Sequence, residues 1–156
     1  MAGESPRRVL RTELVGYRNR PFSVEVEKGR LRLFAKAIGE TDPVWSDDEA
    51  ARAAGYPSLP VPPTFLFCLE MERPDPYDWF EELGIPLGQV LHGEQAFSYH
   101  EPCFAGDVLR FEAEIIDVFA KKGGALEFLV QHNVVSNQHG VRVAEFDRTI
   151  VVRHPA

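Results

Sequence analysis

The hydrophobic rhythm of the chain changes about halfway along. In "RLRLFAKAIG" the apolar residues Leu31, Phe34, Ala35 and Ile38 recur at helical spacing, and Gly39 follows where a helix would end. The preceding "FSVEVEKG", Phe22 to Gly29, alternates briefly. After the loop, "SDDE" at Ser46 to Glu49 fits the capping-box pattern and predicts a short helix from Asp47 to about Ala54, stopped by Gly55. In "YPSLPVPPTFLFCLEMERPDP" four prolines precede the apolar run Phe65 to Leu69 and two more follow it. Proline suits a helix start and not its interior, so the stretch predicts a short buried helix from about Pro63 to Met71, apolar on most sides. "PYDWFEELG" predicts a surface helix or turn. From Gln89 onward "QVLHGEQAFSYHEP", "DVLRFEAEIIDVFAKK", "ALEFLVQHNVVSNQ" and "VRVAEFDRTIVVRH" are rich in aromatic and β-branched residues, with "CFAGD", "KKGG" and "NQHG" between them. Four long strands on short connections predict an antiparallel meander. Helices first and strands later, without βαβ alternation, give an α+β fold in which a curved sheet wraps around the buried helix.

Composition narrows this only a little. At 156 residues, 44% apolar and 26% charged, the chain reads as one globular domain over residues 1–156. No apolar run approaches the roughly 20 residues of a membrane span, and "MAGESPRRVLRTEL" lacks the apolar centre of a secretion signal, so a cytoplasmic protein is expected. Cys68 and Cys103 form no CxxC pair and read as buried, inert thiols. A net charge of -7 argues against nucleic acid or an anionic membrane as partner. Arg7, Arg8, Arg11, Arg18 and Arg20, and separately Lys121 and Lys122, form small basic clusters that could meet an anionic cofactor tail or be ordinary solvated charge.

The candidate chemistry sits in "AIGETDPVWSDDEAA", Ala37 to Ala51, and in "FSYHEPCFAGDVL", Phe97 to Leu109. Phe34, Ala35, Gly39, Pro43, Val44 and Asp47 fall in register with aromatic-Ala-x-x-x-Gly-Asp-x-Asn-Pro-Leu/Ile-His-x-Asp, a motif of (R)-specific enoyl-thioester hydratases. The second stretch resembles a strand that ends in x-x-Pro-x-x-x-Gly-Asp. With these two landmarks and the strand pattern, the chain resembles the MaoC-like hydratases and dehydratases, which implies the hot-dog fold. The family motif serves a reaction that interconverts (3R)-3-hydroxyacyl and trans-2-enoyl thioesters. An aspartate and a histidine handle the protons, and a backbone N–H at the start of the buried helix polarises the thioester carbonyl.

Each element of that machinery is altered. The aspartate position holds Glu40, the asparagine position Asp42, and the histidine position Trp45, whose indole can donate a hydrogen bond but cannot exchange a proton near neutral pH. If the family's His-Gly aligns with Pro62-Pro63, the carbonyl donor is lost too, because proline has no N–H. These departures resemble the N-terminal, FAS1-like dehydratase type, the half without histidine that helps form an acyl tunnel while its partner supplies aspartate and histidine. The resemblance therefore implies an acyl-thioester-binding half of a hydratase or dehydratase, as a homodimer or as a heterodimer with a catalytic MaoC-like subunit. Coenzyme A or a carrier protein would bear the substrate, and neither metal nor other cofactor is implied.

Glu40 and His92 are the candidate catalytic residues, and Asp42, Trp45, Pro63, Thr64 and Glu94 the candidate substrate contacts. Glu40 and Asp42 lie past a helix C-terminus, where the dipole disfavours negative charge; the bland alternative is a solvated turn begun by Asp42-Pro43. His92 and Glu94, two apart on a strand, are expected on one face, as a proton-transfer pair or a structural hydrogen bond. Trp45 reads as a wall or shelf of the tunnel. Rival readings are a homodimeric hydro-lyase that uses Glu40 and His92, a thioesterase of the same fold, and a binding module without turnover.

Overall fold

The computed structural model describes residues 11–154, so Arg7 and Arg8 of the first basic cluster lie outside the described residues. Strand β1 (Phe22–Glu25) leads into helix α1 (Lys28–Ala37), followed by α2 (Asp48–Ala53), α3 (Phe65–Glu70) and α4 (Asp78–Glu82). Four long strands complete the order: β2 (Val90–Tyr99), β3 (Val108–Lys121), β4 (Leu126–Ser136) and β5 (Arg142–Arg153). All pairings are antiparallel, in the order β1-β3-β4-β5-β2.

That order corrects the expected meander. The hairpins β3-β4 and β4-β5 form as read, but β2 pairs with β5 and not with β3, Val90 opposite Val152 and Tyr99 opposite Ala144. The "CFAGD" stretch is consequently no hairpin; it crosses between the two sides of the sheet. On the way Phe104 bridges Pro60 and Ala105 N–H donates to Leu59 O at 2.9 Å. A short glycine-bearing connection is compatible with either course, and only the core-facing pattern of the distant β5 decides between them.

Helix α1 buries Leu31 and Ala35 with Phe34 packed beside them, whereas Ile38, its C-cap, is exposed. Gly39 takes φ +74°, the left-handed conformation that lets Glu40 N–H return to Ala35 O at 2.9 Å and end the helix. The predicted capping box does not form: Asp47, not Ser46, caps α2, its Oδ1 accepting from Ala50 N–H at 2.8 Å. Helix α3 is shorter than expected and carries a charge inside, burying Phe65, Leu66, Leu69 and Glu70. Helix α4 is the expected surface helix, burying Trp79 and Phe80 on one face while Glu81 and Glu82 stay exposed on the other.

The sheet curls around α3 and the interior divides in two. Leu31, Leu59, Phe65, Leu66, Leu69 and Phe146 belong to one cluster; Trp79, Phe80, Ile115, Leu129, Ile150 and Val152 belong to another. Between them the strand alternation continues but its residues change character. The buried face of β4 runs Glu127, Leu129, Gln131, Asn133, Val135, and that of β5 runs Ala144, Phe146, Arg148, Ile150, Val152. A buried polar layer of Gln131, Asn133 and Arg148, joined by Glu70 and Asn19, separates the two apolar clusters. No helix among the described residues is long and apolar enough to cross a membrane.

Candidate functional site

Two cavities flank α3, one at each end. At the N-terminal end, about 280 Å³ is enclosed by Trp45, Tyr56, Pro62, Pro63, Leu66 and Tyr99, among others. The loop that presents Trp45 is held by its own carboxylates. Glu40 Oε1 accepts from Thr41 N–H at 2.8 Å and Asp42 N–H at 3.0 Å, and Asp42 Oδ1 accepts from Val44 N–H at 3.0 Å to start the single 3₁₀ turn Pro43–Trp45. Asp42 thus begins the turn, and backbone N–H groups take up Glu40 in place of a helix dipole of the wrong sign. Both carboxylates are exposed, and neither lines the cavity, whereas Trp45 and Pro63 do.

Thr64 is the exposed residue before α3, and its side chain makes no capping hydrogen bond. Neither Pro62 nor Pro63 offers an N–H toward the cavity; the first N–H at this end is that of Thr64, and the next, from Phe65, turns back to Pro62 O at 2.9 Å. His100 also borders the cavity, with Nε2 2.8 Å from Glu145 Oε2, and that hydrogen bond leads the causes that hold the Glu145 carboxyl below its ordinary range. Sequence reading passed over His100 because its partner lies on β5, far along the chain. Cys103 is buried in the same wall and its thiol is pushed up to about 12 by burial, while half-buried Cys68 is raised for the same reason.

At the other end of α3 a cavity of about 350 Å³ is walled by Phe67, Met71, Tyr77 and Ile150, with His92 and Arg148 on its lining. The His92 ring stacks on Phe67 with centroids 5.4 Å apart and an interplanar angle of 12°, and its Nε2 meets Gln95 Oε1 at 3.0 Å. The expectation that His92 and Glu94 share a face is overturned. Pairing with β5 shifts between them, His92 opposite Ile150 and Glu94 opposite Thr149, so Gly93 is the extra residue of a β-bulge. The bulge turns Glu94 to the other face and brings Gln95, opposite Arg148, to the face of His92. Glycine is required there, since a Cβ would stand 2.8 Å from Val151 Cγ2 and 3.1 Å from Thr149 O.

Beneath this cavity lies the polar layer that sequence reading missed. Arg148 Nη1 and Nη2 donate to Glu70 Oε2 and Oε1, each at 3.0 Å, a two-pronged pair in which both residues are buried. Arg148 Nη2 also reaches Gln131 Oε1, and Gln131 Nε2 donates to Asn19 Oδ1 at 2.9 Å. Burial pushes the Glu70 carboxyl up, against the pull of Arg148. The alternation of β4 and β5 was the available signal: polar letters at core-facing positions imply buried partners.

The predicted residues therefore fall into separate places. Trp45 and Pro63 share the first cavity and His92 lines the second, while Glu40, Asp42, Thr64 and Glu94 line neither. Among the described residues no group of three or more His, Cys, Asp or Glu side chains could hold a metal ion. Of the basic residues outside these cavities, Arg18 pairs with Glu114 at 2.9 Å, and Lys121 lies over the Phe119 and Phe128 rings.

Known proteins share this fold. A family model described as "FAS1-like, dehydratase domain region" matches residues 13–146. A UPF0336 protein of Saccharopolyspora erythraea is 37% identical over 132 residues, covering 85% of this chain and 83% of that protein. Among solved structures, the C-terminally truncated HadBC (3R-hydroxyacyl-ACP dehydratase) complex from Mycobacterium tuberculosis superposes with TM-score 0.75 at 28% identity, over 88% of this chain and 96% of that one. The ChsH1-ChsH2 complex from the same organism gives TM-score 0.70 at 26% identity, over 90% of each chain. The curved sheet around α3 is the hot-dog fold, and the chain belongs to the FAS1-like dehydratase domain family of MaoC-like proteins.

Proposed function

We propose that this domain is the acyl-thioester-binding half of a MaoC-like hydratase or dehydratase, acting in the cytoplasm on (3R)-3-hydroxyacyl and trans-2-enoyl thioesters, with proton transfer supplied by a partner subunit. The observation that carries this reading is the cavity at the N-terminal end of α3. Where the family motif has a histidine, the cavity has the Trp45 ring, and the backbone that would polarise a thioester carbonyl is Pro62-Pro63. General acid-base assistance typically contributes about 10²–10⁴-fold, and an indole supplies none of it. Glu40, the carboxylate at the motif's catalytic aspartate position, spends an oxygen on its own backbone.

The partner reading draws support from the sheet edge. Strand β2 ends the sheet, with no strand on its outer side among the described residues, and it carries the exposed side chains of Leu91 and Tyr99. A long, partly apolar edge is a surface that proteins ordinarily cover. The solved relatives named above are themselves complexes of two proteins.

The test is hydration of crotonyl-CoA by the purified chain alone and after co-expression with a catalytic MaoC-like subunit. The expected result is turnover only in the complex. Turnover by the chain alone, lost in Glu40→Ala, His92→Ala or His100→Ala, would overturn the reading; release of free acid without hydration would point to thioester hydrolysis instead.

A further inference from the structure

The cavity at the N-terminal end of α3 has lost the donors that a thioester carbonyl needs and gained aromatic rings. Among the residues that line it, Pro60, Pro62, Pro63 and Pro102 have no N–H to offer an anion or a carbonyl oxygen. Three others are aromatic: Trp45, half-buried, and Tyr56 and Tyr99, 38% and 49% exposed, so each ring keeps surface outside the packed core. They come from three separate segments, the 3₁₀ turn Pro43–Trp45, the turn after α2 and the end of β2, and meet at this one opening. Tyr99 stacks on Phe97 at 5.6 Å with an interplanar angle of 11°, and Tyr56 leans on Phe104 at 5.7 Å. Neither phenylalanine lines the cavity, so both tyrosines are braced from outside it.

The charges on the lining are one-sided. No lysine or arginine lines the cavity, and its single histidine, His100, is hydrogen-bonded to one oxygen of Glu145, whose other oxygen accepts from Arg142 at 2.7 Å. Burial pushes the Cys103 thiol up to about 12 and raises the Tyr99 phenol as well, so neither adds charge near neutral pH. That leaves the exposed Glu101 carboxylate, which makes no ion pair among the described residues. Trp and Tyr rings attract a cation through their π faces, and a carboxylate adds to the pull. The positive end of α3 opposes it, but that helix is only six residues long and its Phe65 N–H is turned back to Pro62 O.

A primary ammonium would bring three N–H donors to satisfy against proline and aromatic walls, whereas a quaternary ammonium brings none. At about 280 Å³ the cavity is larger than the roughly 150 Å³ that takes a benzene molecule and smaller than the roughly 300 Å³ at which drug-sized sites begin. A trimethylammonium group on a short arm fits that size.

We propose that this cavity, in place of the family's reacting groups, holds a quaternary ammonium group against Trp45, Tyr56 and Tyr99, with Glu101 as its counter-charge. The proposal goes beyond the acyl-thioester-binding reading and does not depend on it.

The test is an NMR titration of the full chain with choline and with 3,3-dimethylbutan-1-ol, which keeps the shape and hydroxyl but has carbon in place of the charged nitrogen. The chain has two tryptophans, and Trp79, buried at the other end of α3, serves as the internal reference. The expected result is that choline shifts the indole N–H of Trp45 and not that of Trp79, and binds about tenfold more tightly than its neutral isostere, within the range of cation–π attraction. Trp45→Leu should abolish the preference for choline. Glu101→Gln, at an exposed position, should reduce it severalfold and serves if the first variant does not fold. An isostere bound as tightly as choline, a shift centred on Trp79, or no shift with either probe overturns the inference. In each of those cases hydration of crotonyl-CoA with the catalytic subunit still decides the acyl-binding reading separately.

Discussion

The two ends of α3 have been treated differently. At the N-terminal end the family motif is still legible, yet its side chains are aromatic, proline or folded back on their own loop. At the C-terminal end no family motif marks the sequence, yet it holds a buried ion pair. Motif letters thus trace where the chain bends, and the charged letters inside the core trace where it makes its demanding contacts. Loop shape survives the loss of a reacting group because backbone hydrogen bonds such as those to Glu40 and Asp42 maintain it.

The contrast can be tested by perturbing each end. The largest effect is expected from Arg148→Ala, which strands Glu70 as an uncompensated buried carboxylate and should cost about 3–5 kcal/mol. That is a large part of the ~5–15 kcal/mol of a typical domain, and urea unfolding would read it. A loss below about 1 kcal/mol would show that the pair is not dry. Next comes Gly93→Ala, whose Cβ collides with Val151 and the Thr149 carbonyl; overpacking of this kind costs about 1–3 kcal/mol. Chemical-shift changes should concentrate on β2 and β5.

At the other end, Asp47→Ala removes the α2 cap and should cost only about 1 kcal/mol, measurable as a small drop in Tm. The smallest effect is a pH dependence. The hydrogen bond to His100, with Arg142 and His132 nearby, holds the Glu145 carboxyl below its ordinary value of 4.5. A depressed folded value stabilises above the unfolded value and is lost as pH falls from about 4.5 through the folded one. Acid titration of stability should therefore be shallower in Glu145→Gln over that window, with unchanged behaviour near neutrality.

Much of the fold was legible because local rules governed it. The spacing of Leu31, Phe34 and Ala35, the prolines before Phe65 and the strand alternation from Gln89 each act within a few residues. The rest depended on distant partners. Glu70 reads as the polar end of an apolar run until Arg148 is placed opposite it, and β2 reads as the neighbour of β3 until β5 claims it. The supposed His92 and Glu94 pair failed for a more local reason, since period-two reasoning assumes a regular strand and Gly93 breaks the register. Trp45 and Pro63 were visible as letters, and the cavity they share gave them a common place.

The pairing of β2 with β5 also sets a timetable. During synthesis β2 leaves the ribosome well before the only strand that can receive it, and Glu70 emerges earlier still, ahead of the arginine that neutralises it. Loop-closure entropy must be met before such distant contacts repay it, which places this sheet among slow, high-contact-order topologies. Until Arg142–Arg153 is available, the β2 edge and the apolar side of α3 are exposed together, the combination that draws chaperones and drives aggregation.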